Sequence, residues 1–337
     1  MHVHLTSDTM SQTMRRLSVQ LVIFGKTMKL NSRPCTNEED FWHARNFLRD
    51  IFLLNGRLEH SWNVARLDYW RWHYIKTCNI LESVEKGMML WENIDGNIIA
   101  ALNHLGGSEL RLHIHPHFRS AELENEILAY AEENFFTMTN NGRRYVYLPI
   151  FEDDTQRQEI AQNRGYKKQA GWGHHYRRNL DSAIPDTPLP SGYAIRSMGA
   201  AEEHPARSWA SWRAFHNDEP DANYDGDYSW CRNLQSAPLY RRDLDIVAVA
   251  PNGSIASFCT IFYDDYTRSA VTVVVGTAAE HWRRGLGKAV ITEGLRRLKE
   301  VGCTLVFSTA HEEPANFLYR SVMQEMKITD TWVKIIK

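Results

Sequence analysis

A basic, glycine-containing segment at residues 281–288 has the composition of an anion-binding loop. It is His-Trp-Arg-Arg-Gly-Leu-Gly-Lys, and it follows a β-branched stretch at 270–276 that is typical of a buried strand. Glycines between a strand and a helix let backbone N–H groups approach an anion, and the helix dipole favours negative charge there. Arg283, Arg284 and Lys288 add charge-assisted hydrogen bonds. The sequence therefore predicts a phosphate site at this loop.

Two common nucleotide-binding loops are excluded. The pattern G-x-x-x-x-G-K-[ST] is absent, and the dinucleotide fingerprint lacks its third glycine and its acidic residue. The alternative for Arg283 and Arg284 is that they are plain solvated charges. Their place between a strand and a helix favours the binding role.

The loop resembles motif A of the GNAT superfamily of acetyltransferases, (Gln/Arg)-x-x-Gly-x-(Gly/Ala). Gly285 and Gly287 occupy the glycine positions, and Trp282 stands where Gln or Arg is usual. Residues 314–322, Pro-Ala-Asn-Phe-Leu-Tyr-Arg-Ser-Val, resemble motif B of that family, although Met323-Gln324 replaces its usual Gly-Phe ending.

The resemblance implies acetyl-CoA as the cofactor and direct transfer of its acetyl group to an amine. Backbone N–H groups of the strand would bind the thioester carbonyl, and Tyr319 would donate a proton to the departing thiolate. Two alternatives stay open, since Tyr319 could simply pack in a core and Asn316 could cap a helix. The implied cofactor-binding residues are Val274, Val275, Gly276, Thr277, Arg283, Arg284, Gly285, Leu286, Gly287, Lys288 and Asn316.

A base must keep the acceptor amine neutral. Many family members carry a carboxylate on the strand at 270–276, and this chain has none there. The candidates are Asp264, Asp265, His281 and Glu312, and we select Asp264 beside Tyr319 as the catalytic pair.

The segment 216–230 interleaves carboxylates with aromatic residues, and in the resembling family this region borders the acceptor site. A site lined by carboxylates and aromatic rings suits a cationic, hydroxyl-rich amine such as an aminoglycoside or a polyamine. The alternative is a solvated acidic loop that caps the next helix. The predicted substrate-binding residues are Asp218, Glu219, Asp221, Tyr224, Asp225, Asp227 and Trp230.

The first half of the chain repeats the pattern of the second but has lost its loop. The equivalent stretch, 113–127, has no glycine, and Glu122, Glu124 and Glu126 oppose phosphate binding. His113, His115 and His117 are alternate residues, so on a strand they would share one face and could bind a metal. Pro116 breaks the strand, however, and we expect no metal. We expect a catalytically silent first half that shapes the acceptor cleft or a dimer.

The elements that position these residues follow the order β-α-β-β-β-α-β-α-β in each half. Asp95-Gly96 and Asn252-Gly253 mark the hairpins. We predict an α+β fold of two tandem GNAT-like domains, each a mixed, mostly antiparallel sheet flanked by helices. The predicted parts are a leader at 1–27, a degenerate domain at 28–183, a proline-rich linker at 184–191 and a catalytic domain at 192–337.

Composition limits the possible partners. The chain has 337 residues, a formal net charge of −2 and five scattered cysteines without a C-x-x-C pair. We expect a cytoplasmic enzyme with a small-molecule amine acceptor and neither nucleic acid nor membrane as partner, and we leave a homodimer open. Tandem layouts of this kind include kasugamycin-type aminoglycoside acetyltransferases. A protein, peptide or polyamine acetyltransferase and a non-catalytic CoA sensor are the alternatives.

Overall fold

The computed structural model of the protein describes residues 17–23, 26–106, 108–139 and 141–336. Side chains are described from residue 29 onward, except those of Ala170 and Trp172. Most of the predicted leader at 1–27 therefore lies outside the described residues. The exceptions are 17–23 and 26–27, and both stretches are strand.

The first half follows the predicted order of elements and begins with one additional strand. Asn37 caps its long first helix by accepting a hydrogen bond from the backbone N–H of Asp40. The elements are β1 Leu17–Ile23, β2 Lys26–Pro34, α1 Glu38–Leu54, α2 Val64–Tyr69, a π-helical segment Trp70–Ile75, α3 Val84–Gly87, β3 Met88–Glu92, β4 Ile98–Leu105, β5 Glu109–Ile114, α4 Ala121–Asn134, β6 Thr137–Met138, β7 Arg144–Phe151, α5 Thr155–Asn163 and β8 Lys167–Asn179.

The second half repeats this order after a connection without helix or strand at 180–193, which includes the predicted linker. Its hairpin turn contains Gly253 at φ +86°, a conformation that side chains rarely adopt. The elements are β9 Ala194–Ser197, α6 His204–Phe215, α7 Ser229–Gln235, β10 Tyr240–Val249, β11 Ile255–Asp264, β12 Ser269–Thr277, α8 Leu286–Glu300, β13 Leu305–Ala310, α9 Glu313–Arg320 and β14 Glu325–Ile336.

The strands of both halves form one continuous sheet. Its order is β1-β2-β3-β4-β5-β7-β14-β8-β13-β12-β11-β10-β9, with β6 paired to β7. The last strand of each half pairs with the other half, since β14 is antiparallel to β7 and β8 is antiparallel to β13. The two exchanged strands also pair with each other. The sequence did not predict this exchange.

Different helices of the second half cover the two faces of β11. All ten residues of β11 are buried. Ile261 packs under α8 so closely that a Cβ at Gly294 would come within 2.5 Å of it. Phe258 packs with Ala210 of α6, and a Cβ at Gly276 would meet its ring at 2.4 Å. Glycine at 276 is thus needed for close packing of α6 on the sheet.

The parallel pair β12 and β13 separates soon after it begins. The strands pair only over Ser269–Val271 and Leu305–Phe307. A register shift against β11 between Thr260 and Ile261 bends β12 at the same level. Beyond this point the two strands diverge and leave an opening in the sheet. No helix within the described ranges is long and apolar enough to cross a membrane.

Candidate active site

The predicted basic loop joins β12 to α8 and leaves the start of that helix open. Gly285 is the N-cap at φ +77°, and none of the described side chains caps this end. The first N–H groups of a helix have no partner within the helix, so they are available to an anion. A Cβ at Gly285 would meet no atom within 4 Å, and Arg283 and Arg284 are exposed beside it. An open helix start with two exposed arginines beside it is suited to binding an anion.

Trp282 ties this loop to the end of β12. Its indole Nε1 donates a hydrogen bond to the carbonyl oxygen of Thr277 at 2.6 Å, and its ring is 45% exposed. The only polar group of the side chain is therefore used within the protein. Backbone groups and the neighbouring arginines are left to contact a ligand.

An open cleft of about 570 Å³, here called the transfer cleft, occupies the place where β12 and β13 diverge. One wall is Val273–Val275 of β12, and the opposite wall continues from Thr309 of β13 to Tyr319 of α9. Tyr69, His73 and Thr77 of the first half complete it. The first half thus contributes three residues directly to the cleft.

Tyr319 lies in the wall of the transfer cleft and is 6% exposed. Its hydroxyl is hydrogen-bonded to Thr272 and Ser308, whose own hydroxyl oxygens lie 2.6 Å apart. Burial raises the pKa of Tyr319 to about 12, and the Arg66 guanidinium acts in the opposite direction. The phenol therefore stays protonated at neutral pH and can donate a hydrogen bond.

Asn316 holds α9 against the exchanged strand β8. Its Oδ1 accepts a hydrogen bond from the Tyr176 hydroxyl at 2.9 Å, and the residue is 2% exposed. The N-cap of α9 is Glu312, so the alternative that Asn316 caps this helix is wrong.

Asp264 does not reach the transfer cleft. It pairs with Ser269 at the start of β12, whereas the part of β12 that lines the cleft begins at Thr272. Its carboxylate is fully buried, pairs with Arg49 at 2.5 Å and accepts a hydrogen bond from the Thr267 hydroxyl at 2.7 Å. This placement argues against Asp264 as the base, because its oxygens already bind structural partners.

The other predicted bases lie in different places. Asp265 is exposed on the turn after β11. The Nδ1 atom of His281 lies 2.9 Å from the Tyr193 hydroxyl. Glu312 is exposed and lines the transfer cleft.

The predicted acidic segment lies on the rim of the transfer cleft. Tyr224, Asp225, Asp227 and Trp230 line a neighbouring surface pocket of about 250 Å³, and Trp230 also lines the cleft itself. Asp227 accepts a hydrogen bond from the Ser229 backbone N–H at 2.8 Å, and the N-cap residue of α7 is Tyr228.

Three other predicted carboxylates line neither pocket. Asp221 pairs with Arg213 at 2.8 Å, and Glu219 lies 2.8 Å from His216. Asp218 is exposed. These three residues lie away from the opening between β12 and β13.

A second cavity, of about 340 Å³, lies between the two halves and is here called the inter-half cavity. It shares Tyr69, Thr272, Val273, Thr309 and His311 with the transfer cleft. Its Glu and Arg residues were not predicted as neighbours, because they come from separate elements that only the tertiary fold of the first half brings together. They are Glu59, Arg66, Glu109, Arg111 and Arg157.

The corresponding helix start in the first half is closed. Ser120 caps α4, accepting a hydrogen bond from the Leu123 N–H at 3.2 Å. Glu124 is fully buried and binds Arg119 at 2.6 Å and Arg157 at 2.7 Å. The Glu124 carboxylate thus neutralises the two arginines that a phosphate at this helix start would need. Glu126 binds the Trp91 indole at 2.8 Å, and Glu122 is exposed.

The three alternating histidines have separate contacts. The Nε2 of His113 lies 2.8 Å from Asn103 Oδ1, and its Nδ1 accepts from the Trp62 N–H at 3.2 Å. His115 caps a short 3-10 turn by accepting from the His117 N–H at 3.2 Å. Among the described residues there is no group of three or more His, Cys, Asp or Glu residues that could hold a metal ion.

Comparison with known proteins identifies the fold. A model of the acetyltransferase (GNAT) family matches residues 206–323, from α6 past the end of α9. No curated protein matches the chain. The chain is similar to the structure of a GCN5-related N-acetyltransferase from Sphaerobacter thermophilus, with 17% identity, a TM-score of 0.60 and coverage of 91% of this chain and 96% of that one.

Two further structures have the same layout. A tandem GNAT protein from the clavulanic acid biosynthesis pathway is 15% identical, with a TM-score of 0.62 and coverage of 91% of this chain and 98% of that one. An acetyltransferase of the GNAT family from Colwellia psychrerythraea is 11% identical, with a TM-score of 0.57 and coverage of 90% and 99%. These likenesses confirm the predicted fold class, an α+β fold of two tandem GNAT-like units.

Proposed function

We propose that this chain transfers an acetyl group from acetyl-CoA directly to the primary amine of a small molecule. The observation that carries the proposal is the divergence of β12 and β13 after Val271, between an open helix N-terminus and a buried, protonated tyrosine. The match of residues 206–323 to the acetyltransferase family supports it.

The chain's residues fit the proposed cofactor at both ends. The N–H groups at the start of α8, with Arg283 and Arg284, would hold the pyrophosphate. The pantetheine arm would lie in the transfer cleft along Val273–Val275. Backbone N–H groups of this bent part of β12 would bind the thioester carbonyl and the negative charge that develops on its oxygen.

Transfer requires that one bond forms and one breaks. The neutral amine attacks the carbonyl carbon, the carbon–sulfur bond breaks, and the amine nitrogen loses a proton as the thiolate gains one. Tyr319 would supply the proton that the thiolate gains, and it would be reprotonated through water by the proton that leaves the amine. His311 lines both cavities, so its imidazole is placed to accept the amine proton directly or through water.

The acceptor would enter from the inter-half cavity, because this cavity meets the transfer cleft at Thr272 and Val273. Its volume of about 340 Å³ suits a small molecule rather than a folded protein. The carboxylates on the rim, Asp225 and Asp227, support attraction of a cationic amine, with aminoglycosides and polyamines as examples.

The test is release of free CoA thiol from acetyl-CoA against aminoglycosides, polyamines, amino acids and peptides. We expect turnover with at least one small amine and a mass increase of one acetyl group on that amine. Binding of acetyl-CoA without turnover on any amine would contradict the proposal and favour a CoA sensor. Turnover on peptides alone would favour the peptide acetyltransferase.

A further inference from the structure

We infer that the acceptor carries a carboxylate as well as its amine, and that Arg111 in the inter-half cavity binds that carboxylate. This inference rests on the proposed function, since it names the class of amine that the same site would take. The predicted class is a small amino acid or a similar zwitterion.

The inter-half cavity contains three arginines, each from a different element of the first half, and Arg157 of α5 is held by Glu124. Arg66 belongs to α2, and Arg111 belongs to β5. Arg66 is already bound by both oxygens of Glu59, at 2.8 and 2.9 Å. Its guanidinium therefore has the partner that its geometry favours.

Arg111 is held differently. One terminal nitrogen binds Glu109, which lies two residues earlier on the same face of β5. The other terminal nitrogen of Arg111 makes no hydrogen bond within the described part of the chain, and the side chain is 19% exposed where it lines the cavity. Its N–H groups are therefore available to an acceptor atom of a ligand. A carboxylate is the group that arginine binds best.

The surrounding side chains suit a ligand with both charges. Glu59 and Glu109 balance Arg66 and Arg111, so the cavity offers both signs of charge without a large excess of either. An aminoglycoside or a polyamine carries only positive charge and would add like charge beside Arg111. A zwitterion matches both signs.

The shape of the cavity also sets which end of the ligand would face the thioester. Arg111 lies on β5 of the first half, whereas Thr272, Val273 and His311 form the boundary with the transfer cleft. A carboxylate at Arg111 would therefore leave the amine free to point toward the thioester. The indole of Trp62, whose ring centre lies 5.7 Å from the Arg111 guanidinium, would cover one side of the bound molecule.

The experiment compares amino acids with their own carboxamides, using alanine, leucine, phenylalanine and glutamate. The amide keeps the amine and the side chain but removes the negative charge. Its amine is also less basic, so any preference for the acid runs against intrinsic reactivity. We expect at least one acid to exceed its amide about tenfold or more in kcat/KM, the range of a charge-assisted hydrogen bond. Calorimetric titration into CoA-saturated protein should show the same order of affinity.

Arg111→Gln should remove the preference for the acid without changing the affinity for acetyl-CoA. The double variant Glu109→Gln/Arg111→Gln avoids an unpaired buried carboxylate and should behave in the same way. Arg241→Gln is the matched control, because Arg241 pairs with Asp243 two residues away on β10 at an exposed site. It should keep the preference.

The outcomes separate the two proposals. Amides used as well as acids, or an unchanged preference in Arg111→Gln, would overturn the carboxylate inference and leave acetyl transfer intact. If no amine at all releases thiol, the proposed function fails, and the calorimetric comparison of acid with amide still decides whether Arg111 binds a carboxylate.

Discussion

The position of Tyr319 is compatible with both alternatives that the sequence presents. It belongs to the buried core of the second half, yet it also lines the transfer cleft. Thr272 and Ser308 interact with its hydroxyl. The packed position and the proposed chemical role therefore agree.

Tyr319→Phe should lower kcat by roughly 100-fold, a typical loss for a missing proton or hydrogen-bond donor. The Kd for acetyl-CoA should stay nearly unchanged, because the phosphate loop and cleft walls are retained. Thiol release and calorimetry measure the two quantities. Tyr263→Phe is the control, since the Tyr263 hydroxyl is also largely enclosed but binds the Val301 carbonyl at 3.2 Å outside the cleft. An unchanged rate in Tyr319→Phe would remove this residue from the mechanism.

His113 makes stability sensitive to acid. Burial lowers its pKa from 6.5 to about 3. Between those values the unfolded chain binds a proton that the folded protein does not, so the free energy of unfolding falls as the pH falls. The slope is about 1.4 kcal/mol per pH unit for this one residue.

The measurement is denaturant unfolding at several pH values between 6.5 and 4. His113→Gln should reduce the dependence of the unfolding free energy on pH by about 1.4 kcal/mol per pH unit, the contribution of one proton. His43→Gln, at an exposed site on α1, should leave this dependence unchanged. Equal slopes in the wild type and in His113→Gln would show that this imidazole is not kept neutral by the fold.

The sequence predicted Tyr319 better than the base for a physical reason. Tyr319 belongs to a local motif whose spacing is set by one helix. Asp264 is removed from the cleft by its ion pair with Arg49, a contact across 215 residues of sequence. Glu59, Arg66 and Arg111 could not be predicted as neighbours for a similar reason, because α2 and β5 meet only in the tertiary fold of the first half.

At the scale of elements, the β12–α8 connection shows what local sequence can establish. Strand, basic loop, glycine and helix all occur where the residue pattern predicts them. The separation of β12 from β13 is less visible, since nothing in the β-branched run at 270–276 indicates that pairing stops after Val271. Strand pairing depends on partners that are distant in sequence.

Gly287→Asp should abolish binding of acetyl-CoA. A Cβ at this position would lie 3.3 Å from both Leu318 and the Thr277 hydroxyl, and the carboxylate would repel phosphate at the start of α8. Calorimetric titration is the measurement. Asn252→Asp, at an exposed position of a hairpin turn, controls for the added charge and should keep the affinity. Retained binding in Gly287→Asp would contradict the loop assignment.

At the scale of the whole molecule, the exchanged strands join what the sequence presents as two domains. The hydrophobic periodicity of the sequence predicts nearly all of the strands in each half. It does not predict that the last strand of each half pairs with strands of the other half. Because β8 lies between β14 and β13, the connection at 180–193 is not what holds the halves together. The continuous sheet does this.

Cleavage of the connection, for example at a protease site inserted between Thr187 and Pro188, should therefore leave the protein associated. The nicked protein should elute as one species near 39.1 kDa and keep its affinity for acetyl-CoA. Denaturing electrophoresis must show two fragments, which confirms the cut. Separate elution of the fragments would mean that the exchanged strands do not hold the halves together.

The position of β14 also has a consequence for synthesis on the ribosome. This strand is made after every other strand of the sheet, yet it fills the place between β7 and β8 of the half that is made first. Until it emerges, both strands have an unpaired edge, which is the kind of surface that associates with other chains. The nascent first half therefore cannot complete its sheet by itself, and its protection from aggregation depends on the last strand to be translated.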